Sequence, residues 1–325
     1  MNAISKVTGL LGLVVCAVGW VGSAFGAAAY PSKNIMVVVP FPAGGRSDIT
    51  MRLLAPYLER SLGHSVVILN RPGGGSSIGF RYLAQSQADG YTIGLNTNAV
   101  VTAQYTVKEN LDLRNYHAIA LINSDPAVLA AGYGGLSKDI DSMIKFARGN
   151  PKKLLVGINP GASAHIFAAA FAKAAKIDVT FVPYKGGSER VAALAGGHIN
   201  ADFGVLAQYR SMMTVKRVRI LGVASSTRLQ GYPDIPTFKE SGVNLEISGW
   251  QGFFAPRGVP PVILRQIVET VRKVLTDPEV VEKLAKIDIQ VSYMPPNQFE
   301  GFLKKDDAAM RELIRDLGLM VTAPK

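Results

Sequence analysis

The sequence has one cysteine, few histidines and none of the glycine motifs that bind nucleotides. Cys16 lies in the N-terminal apolar run, so no disulfide can stabilise the rest of the 325-residue chain. The four histidines show no metal-ligand spacing. No Gly-Lys-Ser/Thr is present, which excludes a phosphate-binding loop, and the glycine pair at 44–45 lacks the G-x-G-x-x-G spacing of a dinucleotide site. The sequence therefore predicts no metal and no cofactor.

Long apolar runs are absent after the first 26 residues. Before that point, Lys6 precedes an apolar run from Val7 to about Gly22, and small residues follow it. This pattern is typical of a secretory signal peptide (1–26) that is cleaved near residue 26, with an uncleaved membrane anchor as the alternative. No later run reaches the ~18–20 residues that a membrane span needs. We therefore expect a soluble protein in the bacterial periplasm, where an exported chain without disulfides is held by its core.

The chain carries a formal net charge of +11, but its basic residues are scattered. The densest cluster is KRVR at 216–219, which is typical of a solvated edge rather than of a nucleic-acid surface. Export also removes most nucleic-acid partners, so we expect no nucleic acid to bind. A general positive field of this kind attracts anionic solutes.

Apolar strand patterns alternate with helical patterns along the chain. Strands are expected at 34–39, 65–70, 91–96, 127–132, 154–159, 179–184, 201–206, 219–225 and 287–293. Helices are expected at 47–62, 77–87, 137–149, 163–176, 187–196, 262–286 and 297–317. Pro56 lies inside the first helix and should kink it. Repeated strand–helix–strand units predict an α/β fold with a largely parallel sheet.

Two segments share one form: an apolar strand, Pro, Gly, a small polar residue and then a helix. They are VVVPFPAGGRSDIT (37–50) and LLVGINPGASAHIF (154–167). The first N–H groups of a helix are unpaired and carry partial positive charge, and glycine lets a ligand approach them. Two helix starts that face each other across a cleft would hold a small anion from both sides. Ser163 and His165 are two positions apart and do not face each other, so Ser163 is interpreted as a cap or a ligand donor.

A serine hydrolase is the competing class of protein. Gly75, Ser77 and Gly79 match G-x-S-x-G, the nucleophile elbow of hydrolases. However, Ser77 comes seven residues after the strand end at Asn70, whereas an elbow follows its strand directly. A glycine-rich loop before a helix is the better interpretation, and an exported esterase that uses Ser77 is the alternative function.

Other positions have two interpretations each. Asp48 can bind an amine, or it can interact with the dipole of its own helix. VPYKGGSE (182–189) is either a further anion-binding loop or a plain connection between a strand and a helix. Trp250 and Phe253, with the glycines beside them, either line a cleft or belong to the core.

Six segments together resemble one protein family. They are YPSKNIMVVVPFPAGGRSD (30–48), NRPGGGSSIG (70–79), ADGYTIGLNTN (88–98), GASAH (161–165), FVPYKGGSERVAALAGGHINADF (181–203) and SGWQGFFAPRGVP (248–260). In this order, and over nearly the whole mature chain, they are similar to the extracytoplasmic solute receptors of tripartite tricarboxylate transporters, the Bug or TctC family.

The resemblance implies a type II periplasmic-binding-protein fold, in which two crossing strands join two α/β lobes around a ligand cleft. It places lobe 1 at 27–124 plus 250–325, lobe 2 at 125–249, and hinges near 122–127 and 247–251. It also implies that backbone amides and ordered waters hold a small carboxylate, either an organic acid or an amino-acid-like anion. The protein would be a monomer without catalytic activity that serves the membrane permease subunits of a tripartite transporter, or a sensor.

Carried over by position, the resemblance assigns ligand contacts to both lobes. The lobe 1 residues are Phe41, Ala43, Gly44, Gly45, Ser47 and Asp48, and we add Arg46 and Asn98 as expected contacts. The lobe 2 residues are Ser163, His165, Tyr184, Lys185 and Gly186, with Asp202 nearby. The sequence departs from the family pattern at Arg46, where a small or polar residue is usual, at AVVTAQYT (99–106), and at Gly204, where a polar or acidic residue is frequent. We expect Arg46 to bind a second carboxylate, with a solvent-facing side chain as the alternative.

Overall fold

The computed structural model describes residues 30–108 and 111–321. The expected signal peptide, its cleavage site and Cys16 lie outside the described residues. None of the helices in these two ranges is long and apolar enough to cross a membrane.

The described residues form strands and helices that alternate along most of the chain. The strands are β1 (Ile35–Val39), β2 (Val66–Asn70), β3 (Thr92–Thr97), β4 (Tyr116–Gly132), β5 (Leu155–Ile158), β6 (Thr180–Pro183), β7 (Ala201–Val205), β8 (Val218–Val223) and β9 (Ser248–Pro256). The helices are α1 (Arg46–Leu62), α2 (Ser77–Gln85), α3 (Ala99–Thr106), α4 (Ile140–Gly149), α5 (Ser163–Ala175), α6 (Gly187–Ala195), α7 (Arg210–Thr214), α8 (Pro261–Leu275), α9 (Pro278–Ala285) and α10 (Pro296–Asp316).

The strands form two half-sheets that share β4. The half-sheet of lobe 1 has the order β2-β1-β3-β9-β4, with β1 parallel to β2 and β3. The half-sheet of lobe 2 has the order β6-β5-β7-β4-β8, with β5 parallel to β6 and β7. Every antiparallel pairing among the described strands involves β4 or β9. The parallel pairings that the sequence predicts therefore occur within each lobe, and the antiparallel ones come from the two longest strands.

Two strands connect the lobes. β4 pairs with β9 as far as Pro126 and with β7 from Ala127 onward, so it passes from one half-sheet into the other. β9 begins at Ser248 and returns the chain to lobe 1. Both crossings fall inside the ranges that the sequence predicts for the hinges, 122–127 and 247–251. The lobe boundaries themselves stay predictions.

The first glycine loop lies at the carboxyl end of a buried strand. The valines at 37–39 have no exposed surface, as expected for a central parallel strand. α1 begins at Arg46 and continues through Pro56 to Leu62, so the proline does not end the helix. Gly63 then adopts the left-handed conformation, with φ of 71°, and closes the C-terminus of α1.

The C-terminal region differs from the expected pattern. The single helix expected at 262–286 is two helices, α8 and α9. Pro278 has no N–H to continue α8, and Asp277 caps the new helix by accepting a backbone N–H at 2.8 Å. The strand expected at 287–293 does not form, and only an isolated bridge at Met294 pairs with β4.

The sequence patterns also miss the helices α3 and α7 and the strand β9, and they shorten β4. α3 has buried residues at five consecutive positions from Ala99 to Ala103, so its apolar residues show no helical period. β4 starts at Tyr116, well before the strand expected at 127–132. Its first half is buried on both faces, and the alternation that marks a half-exposed strand is absent.

The aromatic residues of β9 belong to the core. Trp250 and Phe253 are each 1% exposed. The Trp250 ring packs edge-on against Phe299 of α10, with 5.5 Å between ring centroids. The Trp250 Nε1–H donates to Asp306 Oδ2 at 2.9 Å. The second crossing strand is therefore fixed to α10 by apolar packing and by one hydrogen bond to a carboxylate.

The pKa of Asp306 makes the free energy of unfolding dependent on pH. Burial, opposed by the Trp250 hydrogen bond, raises the pKa of Asp306 to about 6. The folded protein therefore keeps the Asp306 proton at pH values where the unfolded chain has lost it. The contribution of this proton to the free energy of unfolding is fully present below about pH 4 and is lost as the pH rises through about 6. We predict that Asp306→Asn matches the parent at about pH 4 and exceeds its free energy of unfolding by roughly 2 kcal/mol at about pH 8.

Urea unfolding at these two pH values measures the effect, because the Asn side chain still accepts the Trp250 N–H but cannot ionise. Asp141→Asn, which removes an exposed charge from α4, is the matched control. A change in stability that is the same at both pH values for Asp306→Asn would contradict the prediction.

Candidate functional site

A cavity of about 90 Å³ lies between the lobes, at the carboxyl ends of β1, β3, β5 and β7. Its lobe 1 residues are Phe41, Gly45, Arg46, Ser47, Thr97, Asn98 and Ala99. Its lobe 2 residues are Asn159, Ala162, Ser163, Ala164, Phe167, Gly187, Arg190, Gly204, Val205 and Gln208, and Gly249 of β9 completes the wall.

Three helices begin at this cavity. The residues that precede α1, α5 and α6 are Gly45, Ala162 and Gly186, and none of them makes a side-chain capping hydrogen bond. The N–H groups of these first turns therefore lack the acceptor that a capping Ser or Asp supplies. The helix dipoles add partial positive charge at the same place. The structure thus brings together the two helix starts that the sequence predicts and adds a third, the loop at 182–189.

Asp48 holds the loop before α1 in place by accepting a hydrogen bond from its backbone. Gly44 has φ of 73°, which favours glycine, and its N–H donates to Asp48 Oδ2 at 2.9 Å. Arg52 Nε donates to the same oxygen at 2.9 Å. Burial acts to raise the pKa of Asp48, but the hydrogen bonds from Arg52 and Gly44 hold it below its usual value. Asp48 is not among the residues that line the cavity, and both of these hydrogen bonds go to Oδ2; its Oδ1 is buried without a hydrogen-bond partner among the described residues.

Arg46 lines the cavity and forms an ion pair with Asp125 of β4. Asn123 donates to the same carboxylate oxygen. The Arg46 side chain is 9% exposed, and its Nε has no hydrogen-bond partner among the described residues. Burial lowers the pKa of Arg46 and raises the pKa of Asp125, against the attraction within the pair. Arg46 is therefore not directed into solvent, and its Nη2 attaches it to the first crossing strand.

A buried ion pair forms the lobe 2 side of the cavity. Arg190 Nε lies 2.7 Å from Asp202 Oδ1. The Tyr209 hydroxyl donates to Asp202 Oδ2 at 2.8 Å, and Gln208 donates to it at 3.3 Å. Burial acts to lower the pKa of Arg190, but the Asp202 carboxylate raises it overall. Arg190 is part of the cavity wall, and Asp202 lies behind it.

The structure divides the predicted ligand contacts into two groups. Six of them line the cavity: Phe41, Gly45, Arg46, Ser47, Asn98 and Ser163. The other eight do not: Ala43, Gly44, Asp48, His165, Tyr184, Lys185, Gly186 and Asp202. Ala43, Gly44 and Lys185 are exposed, and Tyr184 packs against the apolar core of lobe 2. The His165 Nδ1 accepts the Gly161 N–H at 3.4 Å, and burial lowers the pKa of this histidine.

Sequence reasoning misses Arg190, although the sequence contains a signal for it. Arg190 interrupts the apolar face of α6, and Asp202 interrupts the buried strand β7. A basic and an acidic residue in two neighbouring apolar patterns indicate a buried pair. Thr97, Asn159 and Phe167 also line the cavity; they lie in the motif segments 88–98 and 154–167 but are not predicted as contacts. Val205 and Gln208 line it as well, and no motif marks them.

The lobes contact each other beside the cavity. The Ser163 hydroxyl of lobe 2 lies 2.7 Å from Asn98 Oδ1 of lobe 1 and donates to it. The Thr102 hydroxyl of α3 donates to the Gly161 carbonyl at 2.8 Å. The cavity is thus enclosed on the side of α3 by hydrogen bonds between the lobes.

Ser77 does not form a hydrolase site. Its side chain is fully buried, and its hydroxyl has no hydrogen-bond partner within the described part of the chain. A serine nucleophile needs an adjacent base and access to substrate. The esterase alternative therefore has no support.

Two α/β lobes joined by two crossing strands, with helix starts around a cavity between them, define a solute-binding protein of the periplasmic type II class. The chain matches the tripartite tricarboxylate transporter family receptor (TctC) over residues 50–319, and it belongs to this family of solute receptors, which is not an enzyme family. The predictions of the family and of the two-lobed fold are confirmed.

Relatives of known sequence and structure agree with this family. The chain is 32% identical to a UPF0065 protein from the tcbD-tcbE intergenic region of Pseudomonas sp. (strain P51), over 88% of this chain and 87% of the relative. The solved periplasmic binding protein BugD is 26% identical, with a TM-score of 0.85 over 90% of this chain and 99% of that one. An R. palustris protein solved with adipate is also 26% identical, with a TM-score of 0.85 over 89% of this chain and 98% of that one.

A substitution at Gly186 tests whether solute binding requires contact between the two lobes. A Cβ at this position would lie 2.4 Å from Cδ of Pro42 in the other lobe, whereas the φ of −174° suits any residue. Gly186→Ala should therefore keep the lobes apart without straining lobe 2. We predict at least a ~10-fold loss of affinity for a carboxylate that the parent binds, with little change in the free energy of unfolding.

Calorimetry measures the affinity, and small-angle X-ray scattering measures whether the protein becomes more compact with solute. Gly149→Ala is the matched control, because a Cβ there has no atom within 4 Å. The prediction is wrong if Gly186→Ala binds and contracts as the parent does.

Proposed function

We propose that this receptor captures a small organic acid by its carboxylate, which the N–H groups at the starts of α1, α5 and α6 hold. The observation that carries the proposal is the convergence of three helix starts, none with a side-chain cap, on one cavity. A carboxylate supplies the acceptors that these N–H groups lack, and hydrogen bonds to an ionised acceptor are stronger than neutral ones.

Two further observations support a carboxylate. The relative solved with adipate is 26% identical over nearly its whole length, and adipate is a carboxylate. The cavity wall carries two arginines, Arg46 and Arg190, and no carboxylate among the described residues. The fourteen predicted positions remain our proposed site, with the six that line the cavity as the direct contacts.

Binding would draw the lobes, 27–124 plus 250–325 and 125–249, together about the hinges at 122–127 and 247–251. The receptor then presents its closed form to the permease subunits of a tripartite transporter or to a sensor. We further propose that it acts as a monomer in the periplasm after signal cleavage near residue 26, and that it catalyses no reaction.

Ser163 allows one backbone donor to be removed on its own. It is the first residue of α5, where proline fits, and the preceding Ala162 is extended, with φ of −90° and ψ of 174°, which a following proline permits. Ser163→Ala removes only the hydroxyl, whereas Ser163→Pro also removes the N–H. We predict a further loss of about 10–100-fold in carboxylate affinity for Ser163→Pro relative to Ser163→Ala, since a hydrogen bond to a charged group contributes about 1.5–3 kcal/mol.

Isothermal calorimetry with a panel of aliphatic and aromatic acids identifies the tightest acid and then compares the two variants. Thermal unfolding without solute checks that both variants fold as the parent does. Equal affinities of the two variants would contradict a role for this N–H. Failure of every acid to bind the parent would contradict the proposed function.

A further inference from the structure

The charged side chains that line the cavity are basic. Arg46 of lobe 1 and Arg190 of lobe 2 both line it, and no carboxylate among the described residues does. Three acids lie nearby without lining the cavity: Asp48 binds Gly44 and Arg52 through Oδ2, Asp125 binds Arg46 and Asn123, and Asp202 binds Arg190, Gln208 and Tyr209. The cavity therefore presents hydrogen-bond donors from both lobes and offers no acidic partner for an ammonium group.

Arg190 is held in a fixed orientation. Its Nε is 2.7 Å from Asp202 Oδ1, and its Nη2 donates to the Phe203 carbonyl at 3.3 Å. Its aliphatic stem packs over Gly157, where an added Cβ would lie 3.3 Å from Arg190 Cδ. These hydrogen bonds use Nε and Nη2, and Nη1 makes none to the described residues, although the Tyr209 hydroxyl lies near enough to help raise the pKa of the guanidinium. A guanidinium that is already oriented loses little conformational freedom when a ligand binds.

Arg46 supplies a second donor from the opposite lobe. Its guanidinium lines the cavity and is held in place by Asp125. Each guanidinium already has its own carboxylate, so the cavity attracts further acceptors through oriented N–H groups more than through net charge.

We infer that Arg190, positioned by Asp202, is a specificity-determining residue that receives the end of the solute remote from the bound carboxylate. This inference rests on the proposed function. Together with the Arg46 guanidinium of the opposite lobe, Arg190 selects acids whose remote end is a hydrogen-bond acceptor, a second carboxylate above all. It disfavours acids with an ammonium group there, because that group would meet guanidinium donors and no lining carboxylate among the described residues.

Three probes of equal chain length separate these possibilities: succinate, butyrate and 4-aminobutyrate. All three share one carboxylate, and their remote ends are an acceptor, an apolar methyl and an ammonium. Calorimetry on the parent should show succinate at least ~10-fold tighter than butyrate, and butyrate tighter than 4-aminobutyrate. Adipate, hexanoate and 6-aminohexanoate repeat the comparison at greater length.

Removing the guanidinium should abolish this preference. Arg190→Gln should weaken succinate at least ~10-fold and change butyrate by less than about 3-fold. Because Arg190→Gln leaves Asp202 buried and unpaired, the double variant Arg190→Met with Asp202→Asn is measured beside it; it removes both charges and should lose the same preference. Arg228→Gln, at a surface pair with Glu240 separated by 3.1 Å, is the control and should keep the parent's preference.

The outcomes distinguish the inference from the proposed function. If butyrate and succinate bind the parent equally, or if 4-aminobutyrate binds as well as succinate, the receptor still binds acids and the inference is wrong. If the arginine variants weaken all the acids equally, Arg190 has a structural role only, and the inference is again wrong. If no acid of either series binds the parent, the proposed function fails and the inference fails with it.

Discussion

The unpaired N–H groups at three helix starts are the constraint on which the rest of the site depends. Gly45, Ala162 and Gly186 occupy positions where Ser, Thr, Asp or Asn would supply a cap. At Ala162 in particular, the missing cap costs about 1 kcal/mol of local stability. A capping side chain would place its own oxygen where an external anion can bind. The first-turn N–H groups of these helices thus have no capping side chain as acceptor, and a solute anion can supply one. Such a solute stabilises the form in which the three helix starts lie together.

The two crossing strands link this local chemistry to the arrangement of the lobes. Arg46 belongs to the first helix start, and its partner Asp125 lies on β4 at the crossing. Away from the cavity, Arg210 of lobe 2 pairs with Asp288 of the C-terminal region at 2.5 Å, which adds a contact between the lobes. Contacts of this kind form only when the lobes approach, so the solute and these ion pairs favour the same closed form.

The sequence predicts the βα units and two of the three helix starts because both depend on local patterns: apolar runs, glycine pairs and helical spacing. It does not predict α3, whose consecutive buried residues have no period, or the first half of β4. The roles of Arg46 and Arg190 depend on partners that only the fold brings near: Asp125 is distant in sequence from Arg46, and Asp202 lies on a different element from Arg190. Asp48 differs, because its Oδ2 accepts hydrogen bonds from two neighbours in sequence, Gly44 and Arg52.

A crystal structure of the receptor with its tightest-binding acid tests the central claim most directly. The account predicts carboxylate oxygens within about 2.7–3.1 Å of backbone nitrogens in the first turns of α1 and α5, between lobes that are in contact. A carboxylate held only by side chains or at the outer surface, with those backbone nitrogens facing water, would contradict it.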